Sequence, residues 1–367
     1  MDSLYFNQFT AVEYPELELD GADGPYLSIQ NNSVHLLQVN ERGDIIMEVT
    51  NPKQQPFHCF VDNQQHDHFA VSIDPSNSFA VKSSSFEQAS RIIVISDIEG
   101  NFDALHSLLI ANSVMNLKYE WTFGDGQLVL LGDMMDKGKN VTQCLWLIYH
   151  LESQARSSGG SVHFILGNHD TMNLTLDVRY VHEKYLALAQ KVTRIDNPSL
   201  AYWHLMKHNN VLMQWLKGKN CIEQIGDLLF VHGGISKEIL EEELSIKDLN
   251  DICRQFLNEE WPANELTELV FGKNGPLWYR GLVEETADGE KVSEGFVDEL
   301  LTFYKASKIV VGHTLVDAIS TDYHGKVVRV DVKHPEMKSS KKSQALLIES
   351  SRFYRIDGTG SKEIFKK

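Results

Sequence analysis

IIVISDIEGN, from Ile92 to Asn101, decides how this chain reads: an apolar, β-branched run that delivers two carboxylates, Asp97 and Glu99, into a glycine turn. Five later stretches make sense beside it: GDMMD at 132–136, GNHD at 167–170, HGG at 232–234, WYRG at 278–281 and GH at 312–313. Four of them follow runs of the same kind, LVLL before Gly132, HFIL before Gly167, LLFV before His232 and KIVV before Gly312. Runs that are apolar throughout read as strands buried on both faces, and each ends in side chains that ligate metals or move protons. α/β sheets collect their sites where strand ends converge. An α/β fold with one such edge is the expectation.

Composition narrows the function. The chain has 367 residues, enough for one large domain with an accessory part or for two domains. A hydrophobic fraction of 42% and a charged fraction of 23% belong to a globular protein. Basic residues number 34 and acidic ones 51, a net charge of −17. That balance argues against general nucleic-acid or anionic-membrane binding, which needs clustered Lys and Arg. A phosphate ligand would depend on local positive charge, which bound metal supplies. Cys59, Cys144, Cys221 and Cys253 are scattered, with no CxxC pair, which disfavours a structural zinc or a disulfide framework and suits a reducing cytoplasm. The first twenty residues show no signal peptide, and no apolar run is long enough to span a membrane.

Residues 1–88 read as a small β-rich accessory region, packed on the main sheet, with SSSFEQAS at 83–90 as a linker. Its His58, His66 and His68 are expected to be strand or surface residues rather than ligands. From 91 to 360 strands alternate with helices at 102–114, 141–156 and 293–306. Residues 171–222 form a helical insertion, in which Trp203, Met206, Met213 and Trp215 read as a packing face, placed to act as a lid. The acidic segment 237–260 reads as helical and solvated, and MKSSKKS at 337–343 as a solvated loop. His163, His182, His204 and His208 read as structural or surface residues.

Cleaving a phosphate ester at neutral pH needs a strong nucleophile and neutralisation of charge on the transferring group. Two divalent cations roughly 3.5–4 Å apart supply both. Such a site wants hard oxygen donors and imidazoles, with one carboxylate shared. Asp97, Glu99, Asp133, Asn168, His232 and His313 offer that mixture, each at or just past a strand end.

Five blocks in order, SDIEG, GDMMDKG, GNHD, HGG and GHT, resemble those of the calcineurin-like metallophosphoesterases, within them the phosphoprotein phosphatases. WYRG, VGHT and the helical insertion look most like the bacterial Shewanella-like phosphatases, over about residues 91–335. The resemblance implies a four-layer α/β/β/α sandwich and a binuclear metal centre. It implies that Asp97 and Glu99 bind the first metal, that Asp133 bridges, and that Asn168, His232 and His313 bind the second. His169 would be the general acid, oriented by Asp136, with Arg280 and Lys137 holding phosphate oxygens. Glu99 stands where the family has histidine, which favours Mn²⁺ or Mg²⁺ over softer or nitrogen-loving metals; two divalent ions are expected, Mn²⁺ first, with Mg²⁺, Fe²⁺ or Zn²⁺ as alternatives. Lys137 stands where the family has arginine, a point charge in place of a planar fork.

The expected function is therefore hydrolysis of a phosphorylated protein, peptide or small phosphoester. Two rivals stand beside it. One is hydrolysis of a nucleotide or dinucleotide polyphosphate, with Tyr202 or Trp203 stacking on a base. The other is a non-catalytic phosphate-binding protein on the same fold.

Overall fold

Alternate residues of the strand Arg91–Ile95 enter two different cores. Ile92 and Val94 pack with Val129, Leu131, Phe230 and Val310 between two sheets, whereas Ile93 and Ile95 join Leu105, Leu108 and Trp146 beneath helices. That alternation is the period-two geometry of a strand with both faces covered. The architecture is described from a computed structural model covering residues 21–30, 33–51, 56–62, 68–73, 83–206, 210–258, 264–285 and 291–365.

The first sheet runs Lys362–Ile364, Arg352–Asp357, Gln344–Glu349, Arg91–Ile95, Gln127–Leu131 and Ser161–Ile165, and its last three strands are parallel. The second runs Ser320–Asp322, Val327–Arg329, Lys308–Val311, Leu228–Val231, Ile222–Ile225 and Ser85–Phe86. Within it Val327–Arg329, Lys308–Val311 and Leu228–Val231 are parallel and end level, Val231 beside Val311 and Val311 beside Arg329. Parallel strands in register send their following loops to the same edge. This is how distant motifs come together.

Helices Phe102–Ala111 and Val141–Ser157 lie outside the first sheet, and Ile246–Leu257 covers the second, its Asn250 Nδ2 donating to Ile222 O at 2.8 Å. The result is the four-layer α/β/β/α sandwich. Asn101 caps the first helix, accepting from Ala104 N at 3.1 Å.

Two elements sit elsewhere than expected. The sheet Asp23–Gln30, Ser33–Val39, Ile45–Thr50 and the hairpin Phe57–Asp62, His68–Ile73 pack on the outside of helix Val141–Ser157, not on the main sheet. Trp146 Nε1 donates to Pro25 O at 2.8 Å, and Gln143 Nε2 to Asp62 O at 3.1 Å. That helix is buried nearly all round, so a second layer must cover its far side. The stretch read as a linker contributes Ser85–Phe86, an edge strand parallel to Ile222–Ile225.

Helix Asn168–Leu174 runs from the GNHD block into the insertion, which holds helices Glu183–Thr193, Pro198–Met206 and Val211–Lys217. Met206, Met213 and Trp215 are buried in it, while Trp203 is only half-buried. Within 237–260, Ile239, Leu249, Ile252 and Leu257 are buried, so the acidic segment is solvated on one side only. His66, His208 and the first twenty residues lie outside the described residues. Among those described, no helix is long and apolar enough to cross a membrane. All four cysteines are free and buried.

Candidate metal centre

The loop after Arg91–Ile95 is bonded to the loop after Gln127–Leu131 by a run of backbone hydrogen bonds, beside the ion pair of Glu99 with Lys137. Asp97 N donates to Gly132 O at 3.1 Å, Glu99 N to Asp133 O at 2.9 Å and Gly100 N to Met134 O at 3.0 Å. A third loop is locked on by Asp170. Its carboxylate accepts from Gly167 N and Asp133 N at 2.9 Å, Met134 N at 3.1 Å and Met135 N at 3.2 Å. Burial, with the nearby charge of Asp133, pushes Asp170 up to about 7 despite those donors.

The closeness has a backbone cost. Asp97, Glu99, Asp133, Asp136, Lys137 and His313 all have positive φ, between +48° and +73°. Each such residue costs about 1 kcal/mol or more, and strain of this kind persists where surrounding contacts over-determine it. Gly132, at φ +85°, is tight for a second reason: a Cβ there would lie 2.5 Å from His232 Nδ1 and 2.7 Å from Gly167 N.

The side chains converge on Asp133. Its Oδ2 lies 3.1 Å from His232 Nε2 and 3.9 Å from His169 Nε2, and its Oδ1 accepts from His169 N at 2.8 Å. Two groups of ligand atoms, each within 4.8 Å of one another, share it: Asp133 with His232 and His313, and Asp133 with Glu99 and His169. Asn168 Oδ1 is 3.1 Å from His232 Nε2. Asp97 accepts from Ser96 Oγ and, at 3.2 Å, from His313 N. A cleft of about 870 Å³ opens onto the set, lined by Asp97, Glu99, Asp133, Lys137, Asn168, His169, Arg280 and His313. Asp136 and His232 stand behind its wall, bonded to residues that face it. All ten candidate residues from the sequence are thus at one place.

These residues suit divalent cations. His313 Nε2 is buried with no hydrogen-bond partner, and burial beside His232 pushes its pKa down to about 2, leaving a neutral imidazole. His232 Nδ1–H donates to Leu131 O at 2.7 Å, since a carbonyl can only accept, so Nε2 points at Asp133 and Asn168. Burial and the charge of Asp331 push the Asp97 carboxyl up. Crowded carboxylates beside an unpaired imidazole form a donor set short of positive charge.

His169 and Asp136 form a close buried pair. His169 Nδ1–H donates to Asp136 Oδ2 at 2.7 Å, so its Nε2 faces the cleft, with the Tyr180 ring 4.9 Å away. Burial opposes charge on His169, but Asp136, Asp133 and Glu99 outweigh it and raise the pKa above the ordinary value. Arg280 Nη1 donates to His313 O at 2.8 Å, and its Nε stands 3.8 Å from Glu284.

Three groups were not singled out from sequence. Asp170 sat unassigned within GNHD. Asp331 lines the cleft just past the parallel strand Val327–Arg329, so the apolar run ending in a carboxylate that flagged Asp97 would have flagged it too. Burial pushes it up to about 7. His334, donating from Nε2 to Ser96 O at 3.1 Å, follows a loop and left no local pattern. One expectation fails: Tyr202 cannot stack on a base, because it is buried with its hydroxyl bonded to Asn173 Oδ1 at 2.7 Å. Neither it nor Trp203 lines the cleft.

Residues 90–317 match the family model of the calcineurin-like phosphoesterases. The chain belongs to that family. This calcineurin-like phosphoesterase is also similar to Shewanella-like protein phosphatase 2 of Arabidopsis thaliana, 24% identical over 297 residues, covering 71% of this chain and 75% of that one. Among solved structures it resembles the cold-active protein-tyrosine phosphatase of a psychrophilic Shewanella species, 30% identical with a TM-score of 0.80, over 94% of this chain and 99% of that one. A further structure of a cold-active protein tyrosine phosphatase aligns with TM-score 0.81 at 29% identity, over 95% and 98% of the two chains. The phosphoesterase blocks read from sequence lie within the matched segment. The resemblance to the Shewanella-like branch is shared by sequence and structure.

Proposed function

We propose that this calcineurin-like phosphoesterase is a metal-dependent phosphomonoesterase acting on phosphorylated protein side chains, phosphotyrosine foremost. The observation that carries the reading is the double membership of Asp133, the one carboxylate common to both groups of candidate ligands. Asp97, Glu99 and Asp133 would hold one divalent cation, and Asp133, Asn168, His232 and His313 the other. An oxygen-rich first position favours Mn²⁺ or Mg²⁺ over Fe²⁺ or Zn²⁺. When bound, such a pair lowers the pKa of water and neutralises charge on the phosphoryl group.

The chain's own residues do the rest. Arg280, steadied by the His313 carbonyl, reaches phosphate oxygens in the cleft. His169 gives the proton on Nε2 to the leaving oxygen, and Asp136 keeps the other proton on Nδ1 and stabilises the imidazolium. The aryl preference rests on the mouth of the cleft, where Tyr180, Leu315 and Trp278 offer apolar surface to a phenyl ring. The tyrosine phosphatases among the similar structures support the same choice.

The test is phosphate release from phosphotyrosyl, phosphoseryl and phosphothreonyl peptides and a bis-nucleoside polyphosphate. Metal-stripped protein is reloaded with Mn²⁺, Mg²⁺, Fe²⁺ or Zn²⁺ and compared with Asp133→Asn. Fastest release from the phosphotyrosyl peptide with Mn²⁺, abolished in the variant, is the expected result. Release from no substrate with any metal would overturn it and leave a phosphate-binding protein.

A further inference from the structure

Asp136 has two oxygens, and only one of them serves His169. The other, Oδ1, accepts from Asn173 Nδ2 at 2.7 Å. The same amide nitrogen donates to His169 O at 2.8 Å, and Asn173 Oδ1 accepts the Tyr202 hydroxyl at 2.7 Å. All four side chains are buried. The direction of this chain of bonds is forced. A carboxylate and a backbone carbonyl can only accept, so the amide must turn its NH₂ towards Asp136 and His169 O. Its oxygen is then left for Tyr202, which must donate. No flipped amide satisfies the same partners.

We propose that Asn173 and Tyr202 are positioning residues for proton delivery, fixing the Asp136 carboxylate so that Oδ2 holds His169 in the donating orientation. The inference rests on the reading of His169 as the proton donor. Asn173 lies one helical turn past His169 on Asn168–Leu174, and Tyr202 comes from Pro198–Met206 within the insertion. The insertion thereby reaches the chemistry through a hydrogen-bonded chain as well as through the cleft wall. A carboxylate is anchored against rotation only if both oxygens are bonded. With Asn173 Nδ2 gone, Oδ1 is released and Oδ2 can swing off Nδ1. A misplacement of about 1 Å in such a group can cost on the order of 10²-fold in rate. A small cavity of about 10 Å³, lined by Asp136, Asn173, Tyr185 and Tyr202, adjoins the chain and is the size of one water. Tyr202→Phe is therefore the milder change, since a water there can donate to Asn173.

The leaving group separates positioning from general structural damage. Phenolate is a poor leaving group that needs the proton, whereas p-nitrophenolate leaves without it. For wild type, His169→Ala, Asn173→Ala, Tyr202→Phe and Asn173→Ala in the His169→Ala background, kcat/KM is measured on both aryl phosphates with the Mn²⁺-loaded protein. Asn173→Ala is expected to lower the phenyl to p-nitrophenyl ratio by about 10- to 100-fold, and Tyr202→Phe by a smaller factor of the same sign. No further change in the ratio is expected once His169 is alanine. Independently of turnover, the Nδ1 proton of His169 should give a far-downfield NMR signal in the metal-free protein, weakened in Asn173→Ala. If His169→Ala shifts the ratio but Asn173→Ala and Tyr202→Phe leave it and the NMR signal alone, the positioning role is overturned while the proton-donor reading stands. If His169→Ala leaves the ratio unchanged, the proton-donor reading falls and takes this inference with it. Should Asn173→Ala fail to fold, Asn173→Ser takes its place beside Tyr202→Phe, read by the same ratio and the same NMR signal.

Discussion

Glu99 and Lys137 are ion-paired across the cleft, carboxylate to ammonium, and both have left-handed backbone. At both, the sequence differs from the resemblance in a way that bears on the site: a carboxylate stands where histidine is implied and an ammonium where arginine is. The structure pairs the two: the carboxylate of Glu99 faces the ammonium of Lys137. Burial resists the Lys137 charge, but Glu99 outweighs it and its pKa stands above the ordinary value. Glu99 in turn is raised by burial, with Lys137 opposing.

Exchanging one partner should therefore disturb the other. Glu99→His is expected to move metal preference from Mn²⁺ towards Zn²⁺ by about 10- to 100-fold and to free Lys137. Calorimetric titration of the stripped protein with each metal measures it. The double variant Glu99→His, Lys137→Arg should recover phosphate affinity that the single one loses, and independent, additive effects would refute the coupling.

The pH dependence follows from His169. Its pKa is raised, so the proton-bearing form persists to higher pH and activity is lost as pH climbs through that pKa. Asp136→Asn removes a carboxylate that helps raise it, so the alkaline limb should move to lower pH. The linked stability has the same sign. It is fully present below the unfolded histidine pKa of about 6.5 and is lost as pH rises through the folded value. A pH–rate profile with phenyl phosphate, beside denaturant melts at acid and alkaline pH, checks both.

Gly132 should tolerate no side chain. Gly132→Ala puts a Cβ against His232 and the Gly167 backbone at positive φ, so stability should fall by more than about 1 kcal/mol. Displacing His232 should also weaken metal binding about 10- to 100-fold. Urea unfolding and metal titration read the two effects separately, and a variant that keeps native metal affinity would contradict the crowding.

Asp23 ties the outer β layer to the rest. It accepts from Tyr26 OH and Thr142 Oγ1 and lies 3.5 Å from Lys184 Nζ, all buried. Asp23→Ala leaves a buried ammonium without its carboxylate and should cost about 3–5 kcal/mol. Asp23→Ala with Lys184→Met should recover much of that loss in chemical denaturation. Equal destabilisation of single and double variants would mean the ion pair is not what is missing.

The sequence by itself determined the strands, their order and the chemical types at their ends. Short apolar runs and the residues that follow them are local properties, readable without any contact. IIVIS, LVLL, HFIL, LLFV and KIVV each became a strand, and their end residues met at one cleft or, for His232, just behind its wall. Only the tertiary structure decided which oxygen faces which nitrogen. Asp133 is shared between two ligand groups, Asp136 is bonded to Asn173, and Glu99 is paired with Lys137 where loops from distant parts of the chain meet and six site residues adopt positive φ. They are held by contacts between residues far apart in the chain, 37 positions for Asp133 with Asp170 and 216 for Asp97 with His313. The β layer outside Val141–Ser157 was hidden for the same reason. A strand pattern records that a face is covered, and what covers it is settled only when the chain closes.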